Sequence, residues 1–439
     1  MNRRDFLKTT GAGLTTLALT GSTLAQDNEE EHSLASAEAR IEKHRKARVT
    51  LNLTDPNGIP IKSSAPIQIE QTRHKFLFGC NIFKLNRCKT EADNAAYAER
   101  FSDLLNFATL PFYWWNYERT RGNPEDLRTQ EIITWCKANR ITTKGHPLAW
   151  NYIQPPWLKD TDPDTAMRLQ LERIARCVKK FSGDIDIWDV VNEATHYDRP
   201  FCKERAPVLT QAITDMGVEE YIQQAFAAAR EANPHATLLI NDYRTDPSYE
   251  KKVVTKLVDA QKKAMYDVIG IQSHMHSKPW PAKRVWDVCQ TYAKYNVPLH
   301  YTETTVVSGP KSDNGWVTTA QGEKAQAKAV SDFYTILFSH PAVEAVTWWD
   351  FTDQNAWQNA PAGLIRADMS PKPAYHQLKD LIKGDWWTRT QRLTGPQGHI
   401  GFTGFLGEYQ LSTTLNGRKL TADFTLGKNL KGPIKVTLS

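Results

Sequence analysis

From Phe76 onward, short apolar runs alternate with longer stretches in which apolar residues recur every three or four positions. The runs at 76–80, 106–111, 141–146, 185–191, 237–242, 267–272, 298–303 and 343–349 read as buried strands. The stretches near 92–104, 126–139, 164–181, 217–232, 248–264, 281–295, 320–339 and 373–383 read as helices. Asp162-Pro163 precedes the third helix and Asn233-Pro234 ends the fourth. Eight strict alternations with no Gly-rich phosphate loop predict an α/β fold. They point to a closed (β/α)8 TIM barrel over 76–383 rather than an open doubly wound sheet.

The flanks have a different period. Residues 47–53 and 67–71 alternate apolar and polar positions, with Asp55-Pro56-Asn57-Gly58 as a turn between them. After Gly384, short strands are expected at 400–402, 409–412, 421–424 and 434–438, with Asn416-Gly417 as a hairpin turn. A strand needs partners and a covered face. The two ends, 38–75 and 384–439, are therefore expected to build one small accessory β-sandwich beside the barrel.

The N-terminus reads as an export signal. Asn2-Arg3-Arg4-Asp5-Phe6-Leu7-Lys8 is a twin-arginine pattern, followed by a weakly apolar stretch from Gly11 to Leu24. Cleavage after Ala25 fits the small-residue rule, and 26–37 is acidic, polar and expected to be disordered. A periplasmic or extracellular location follows as an expectation. No other run approaches the length of a spanning helix, so the mature chain is not expected to insert in a membrane. Net charge is +6, of which Arg3, Arg4 and Lys8 against Asp5 supply +2, leaving +4 with the signs interspersed. There is no long basic tract, and no nucleic-acid partner is inferred. The six cysteines form no CxxC pair, which argues against a structural zinc site. Mostly free, buried thiols are expected, with Cys80 and Cys88 the one pair close enough in sequence to suggest a disulfide.

Candidate chemistry sits at two strand ends. The runs Ile185–Asn192 and Pro298–Thr302 each deliver a glutamate, Glu193 and Glu303, to the C-terminal end of a strand. In a closed barrel, strands four and seven open on the same mouth. Two carboxylates across a pocket are the usual machinery of glycosidic bond cleavage. The 14 Trp and 15 Tyr add flat apolar platforms suited to sugar rings, although most aromatics in any chain pack the core.

These segments resemble family 10 glycoside hydrolases, the retaining endo-1,4-beta-xylanase family. The resemblance covers about residues 76–383. It rests on Gly145-His146-Pro147-Leu148-Ala149-Trp150, Trp188-Asp189-Val190-Val191-Asn192-Glu193-Ala194, Leu239-Ile240-Asn241-Asp242-Tyr243, Ile269-Gly270-Ile271-Gln272-Ser273-His274, Tyr301-Thr302-Glu303, and the loop from Trp349 to Trp357 containing Asp353. The resemblance implies Glu303 as nucleophile and Glu193 as acid/base. It implies His274 as the partner that keeps the nucleophile ionised, with Gln272 on the same strand face. It further implies Asn192 at the sugar 2-hydroxyl, His146 and Trp150 in the same region, and Trp349 and Trp357 as aromatic walls. Neither a metal nor an organic cofactor is implied. The substrate it implies is a polysaccharide or oligosaccharide, xylan-like by default.

Three stretches depart from the family pattern. Where the family carries Glu-Asn-x-x-Lys after strand two, this chain reads Leu110-Pro111-Phe112-Tyr113-Trp114-Trp115, with Trp114 expected at the lysine position. Asn151 replaces the histidine after the strand-three Trp, and Thr304-Thr305 replace an apolar residue and Asp after the nucleophile. The distal sugar site is thus expected to be remodelled. A related hydrolase of a different β-glycoside, exo-acting or aryl-linked, and a catalytically silent carbohydrate-binding protein are the rival readings.

Overall fold

The computed structural model describes residues 32–62, 66–313 and 315–439. The twin-arginine segment and the acidic residues before His32 lie outside the described residues.

Eight parallel strands close into a ring: Leu77–Asn81, Phe107–Pro111, Thr142–His146, Ile187–Asn192, Thr237–Asp242, Val268–Ile271, Leu299–Val306 and Val343–Trp348. The eighth pairs with both the first (Trp348 beside Cys80) and the seventh (Thr304 beside Trp348), which closes the barrel. Every residue of the seventh strand is buried, as a barrel stave covered by helices should be. Glycine is required where neighbours press in. A Cβ on Gly145 would meet the Trp188 ring at 2.1 Å, and one on Gly270 would meet Asn241 Oδ1 at 2.5 Å.

The outer helices largely follow the apolar period. Asp162 and Thr319 cap the helices Pro163–Lys180 and Ala320–Ser339 by accepting from Thr165 N and Gly322 N. Three helical features depart from the sequence reading. The expected helix over 248–264 is cut to one turn at Pro247–Tyr249 and a wide turn over Glu250–Val254. Beyond it, the Asp259 carboxylate accepts from Gln261 N and Lys263 N and folds the chain back. Two helices, Pro200–Arg205 and Pro207–Met216, stand in the loop after strand four. Third, residues 37–45 form a helix rather than part of the sandwich, and Ala37 is buried instead of belonging to a disordered tail. Arg45 ties that helix to the barrel by donating to the carbonyls of Phe338, His340 and Val343.

Both termini form the accessory sandwich. Lys46–Thr54 lies between His399–Phe405 and Ile434–Thr437 in one sheet. Ile67–His74 lies between Arg389–Arg392 and Gly407–Leu415 in the other, with Arg418–Leu426 at its edge. Val49, Leu51, Leu53, Ile67, Ile69, Ile400, Phe402, Tyr409, Leu411 and Phe424 fill the shared core. All six cysteines are free, Cys80 and Cys88 included. Among the described residues no helix is long and apolar enough to cross a membrane.

Candidate active site

A cleft of about 700 Å³ opens at the C-terminal ends of the barrel strands. Half of its lining residues are Phe, Tyr or Trp. Glu193 and Glu303 stand in it, 8% and 5% exposed.

Glu193 follows strand four, where a register shift between Asp189 and Val191 interrupts the ladder. Its own backbone is left-handed, φ 57°, a conformation uncommon for a residue that bears a side chain. Glu303 lies within strand seven, deeper in the wall. A chain of three amides joins the two carboxylates. Asn241 Nδ2 donates to Glu303 Oε1 at 2.9 Å and to Asn192 Oδ1 at 2.8 Å. Gln272 Nε2 donates to the same Asn192 oxygen at 3.2 Å and to Glu193 Oε1 at 3.0 Å. Thr302 Oγ1 fixes the Asn241 amide by donating to its Oδ1 at 2.6 Å. Asn192 Nδ2 is buried and has no acceptor among the described residues.

Two histidines face Glu303. His274 Nε2 is 3.3 Å from Oε2, and His146 Nε2 is 3.7 Å from Oε1. The far nitrogen of each ring is committed. His274 Nδ1 donates to Thr305 Oγ1 at 2.9 Å, because the Thr305 hydroxyl itself donates to Trp349 O. His146 Nδ1 donates to Asp189 Oδ2 at 2.7 Å. A proton on either Nε2 therefore makes that ring an imidazolium, which favours a carboxylate at Glu303. Burial pushes the Glu303 carboxyl up, but the charge of His146 and the hydrogen bond and charge of His274 together hold it below the ordinary glutamate value. Asp189 is buried as well, and Lys144 at 2.7 Å with His146 holds it low against that burial.

The aromatic walls come from several loops. Trp349 is buried with its ring edge-on to His146 and Phe83, while Trp357 is 41% exposed and tilts over His274. Trp150 stacks on Tyr152 with centroids 4.4 Å apart. All nine residues expected from the sequence thus gather around one cleft.

Trp114 does not join them. It is buried away from the cleft against Leu158, Ala166 and Leu209, with Nε1 donating to Glu118. Tyr113 and Trp115 face the cleft in its place. Strand two ends in a single helical turn, Trp114–Tyr117, which rotates successive side chains to different sides. Asn151 is also structural, donating to Tyr197 O and Thr210 Oγ1. Asp353 pairs with Lys372 behind the cleft at 2.7 Å.

Sequence reasoning assigned no role to Asn241, Arg199, Lys84 or Asp350. Asn241 lay inside a quoted segment, but only the fold reveals that its amide reaches Glu303. Arg199 comes from the loop after strand four, and its guanidinium donates to Glu193 Oε2. No local pattern marks such a contact. Asp350, at the end of strand eight, accepts from Asn81 Nδ2 and Trp357 N, and burial pushes its carboxyl up.

Comparison with known proteins agrees with this layout. The profile described as Glycosyl hydrolase family 10 matches residues 71–381. The anti-sigma-I factor RsgI6 of Acetivibrio thermocellus is 26% identical over 90% of this chain and 48% of its own length. Endo-1,4-beta-xylanase 5-like of Arabidopsis thaliana is 26% identical over 74% of this chain and 53% of its own. The chain thus spans about half the length of these curated relatives. The crystal structure of native xylanase 10B from Thermotoga maritima shares the fold, with a TM-score of 0.58 at 22% identity, covering 71% of this chain and 96% of that one. With the profile matching most of the barrel and its cleft, the chain belongs to glycosyl hydrolase family 10.

Proposed function

We propose that this protein is a retaining β-glycoside hydrolase that cleaves xylan-like polysaccharides or oligosaccharides by double displacement. The observation that carries the reading is the amide-bridged pair Glu303–Asn241–Asn192–Gln272–Glu193, with Glu303 held ionised between two histidines.

In the first step a Glu303 oxygen bonds to the anomeric carbon as the bond to the leaving oxygen breaks. Glu193 gives its proton to that oxygen. The product is a glycosyl ester on Glu303 and a Glu193 carboxylate. In the second step Glu193 takes a proton from water, the water oxygen bonds to the anomeric carbon, and Glu303 leaves as carboxylate. The buried, unpartnered Asn192 Nδ2 is free to donate to the sugar 2-hydroxyl, a contact that strengthens in the transition state. His146 Nε2 lies in the same region.

The aromatic faces of Tyr113 and Trp115, in place of directional polar groups, support relatively good use of short or aryl-linked substrates. The N-terminal twin-arginine run further supports export to the periplasm or exterior, which fractionation of the full-length chain would test. The catalytic assignment is tested by Glu193→Ala and Glu303→Ala. Glu193→Ala should retain activity on aryl glycosides with good leaving groups and be rescued by azide with retained stereochemistry. Glu303→Ala should be inactive on both substrate types. Unimpaired turnover of natural substrate by Glu193→Ala would reject the assignment.

A further inference from the structure

Glu193 faces conflicting demands. As an acid it must carry a proton, yet here one carboxyl oxygen accepts from Gln272 and the other from the Arg199 guanidinium. An arginine on a carboxylate favours the ionised form. Among the described residues Arg199 has no second acid to hold it. Its remaining contacts are Nε to Cys202 Sγ at 3.2 Å and the faces of Tyr152 and Tyr243, each 5.7 Å from the guanidinium. The amide chain to Glu303 uses Glu193 Oε1, whereas Arg199 holds Oε2. Arg199 therefore stands on the leaving-group side of the acid.

A second cation lies along the same wall. Arg284, at the exposed start of the helix Ala282–Ala293, sits 4.4 Å over the Trp280 ring and touches Thr245 Oγ1 at 3.5 Å. Among the described residues it has no carboxylate partner. Arg244, on the strand-five loop between them, is already paired with Asp246. The third cation of the cleft, Lys84, belongs to the loop after strand one, across the ring, within electrostatic reach of Asp350.

We infer that this half of the cleft takes a leaving-group sugar bearing a carboxylate, a uronic acid or a sugar substituted with one, and that Arg199 transfers from Glu193 to that carboxylate on binding. The inference rests on the hydrolase reading above. A guanidinium fork matches any carboxylate, so one partner replaces the other without a cation being left bare. Arg284 lines the same cleft as a further cation. Once Arg199 has moved, Glu193 Oε2 is released from the guanidinium and is open to the leaving oxygen. A neutral leaving group leaves Arg199 on Glu193, so the same contact discriminates against neutral substrates.

The test uses an acidic xylo-oligosaccharide with glucuronic acid on the leaving-group sugar, and the same compound after reduction of its carboxyl to the alcohol. Binding of both to the Glu303→Ala protein is measured by calorimetry. The acidic compound should bind about tenfold more tightly, the scale of one charge-assisted hydrogen bond. Arg284→Gln and Arg199→Gln, each added to that background, should bring the ratio to within about twofold. Equal binding of the two compounds, or a preference that survives both substitutions, overturns the inference. Hydrolysis of the acidic compound by the unmodified protein tests the glycosidase reading separately. A preserved binding preference without hydrolysis would sink that reading alone.

Discussion

Replacing Asn241 by Asp changes one atom type at the centre of the amide chain and nothing in its volume. The atom that now donates to Glu303 Oε1 at 2.9 Å becomes a carboxylate oxygen. A charge-assisted hydrogen bond of roughly 1.5–3 kcal/mol is lost. Two like charges at that distance repel by about 6 kcal/mol at an effective dielectric constant of ~20. One of the pair must then hold a proton, and the shift this repulsion can drive is as large as about four pH units. His146 and His274 remain and offset part of it. The acid limb of kcat/KM should therefore move up by about two units or more, with a loss of about a hundredfold on the acid side of neutrality. An aryl glycoside with a good leaving group is the right substrate, because its turnover does not need Glu193 as an acid. Activity should recover as pH rises, since deprotonation restores the nucleophile. An acid limb within half a unit of the parent's, in a protein of unchanged melting temperature, would refute the claim that Asn241 and Glu303 interact directly.

Three further outcomes are expected. Gly270→Ala places a methyl group 2.5 Å from Asn241 Oδ1, so it should displace the amide and lower kcat on the same substrate by tenfold or more, as a rough expectation; undiminished kcat would show that the amide is not held in place there. Burial, with the Glu193 charge adding to it, raises the Asp242 carboxyl to about 7, so the folded state binds a proton that the unfolded state has released between the ordinary aspartate range and neutrality. Its contribution to stability should fall as pH rises through that window, and Asp242→Asn should flatten the decline of melting temperature between pH 4 and 7; parallel curves for the two proteins would refute this. Deleting 385–439 removes the sheet partners of Lys46–Thr54 and Ile67–His74 and uncovers Val49, Leu51, Ile67 and Ile69, so the truncated chain should aggregate on expression, whereas a soluble barrel of equal heat stability would show that the sandwich is dispensable.

The sequence was legible where one physical rule governs a stretch. Buried strands such as Val268–Ile271 must be apolar runs, and seven of the eight helical stretches show the period of a half-covered face. Legibility ended where a residue's role depends on a partner far along the chain. The helix Ala37–Arg45 buries only Ala37 and Ile41, so its charged remainder resembles a solvated tail. The stretch 248–264 has helical spacing at Val253, Val254 and Leu257, but the Asp259 turn overrides it. In the cleft, the apolar runs pointed to Glu193 and Glu303, whereas the turn Trp114–Tyr117 decided which two of three adjacent aromatics face the cleft. Arg199 meets Glu193 only because the loop after strand four folds back over the cleft, a path that no local pattern encodes.

The central claim is that Glu303 becomes covalently bonded to the sugar. A glycoside with fluorine at the sugar 2-position and a good leaving group slows the second step more than the first, so the ester accumulates. Mass analysis of the protein after incubation, followed by peptide mapping, is the most direct measurement. The expected result is one added glycosyl group per chain, on the peptide containing Tyr301-Thr302-Glu303, with the mass located at Glu303. Label on Glu193 or any other residue, or continued turnover with no ester at all, would contradict the account.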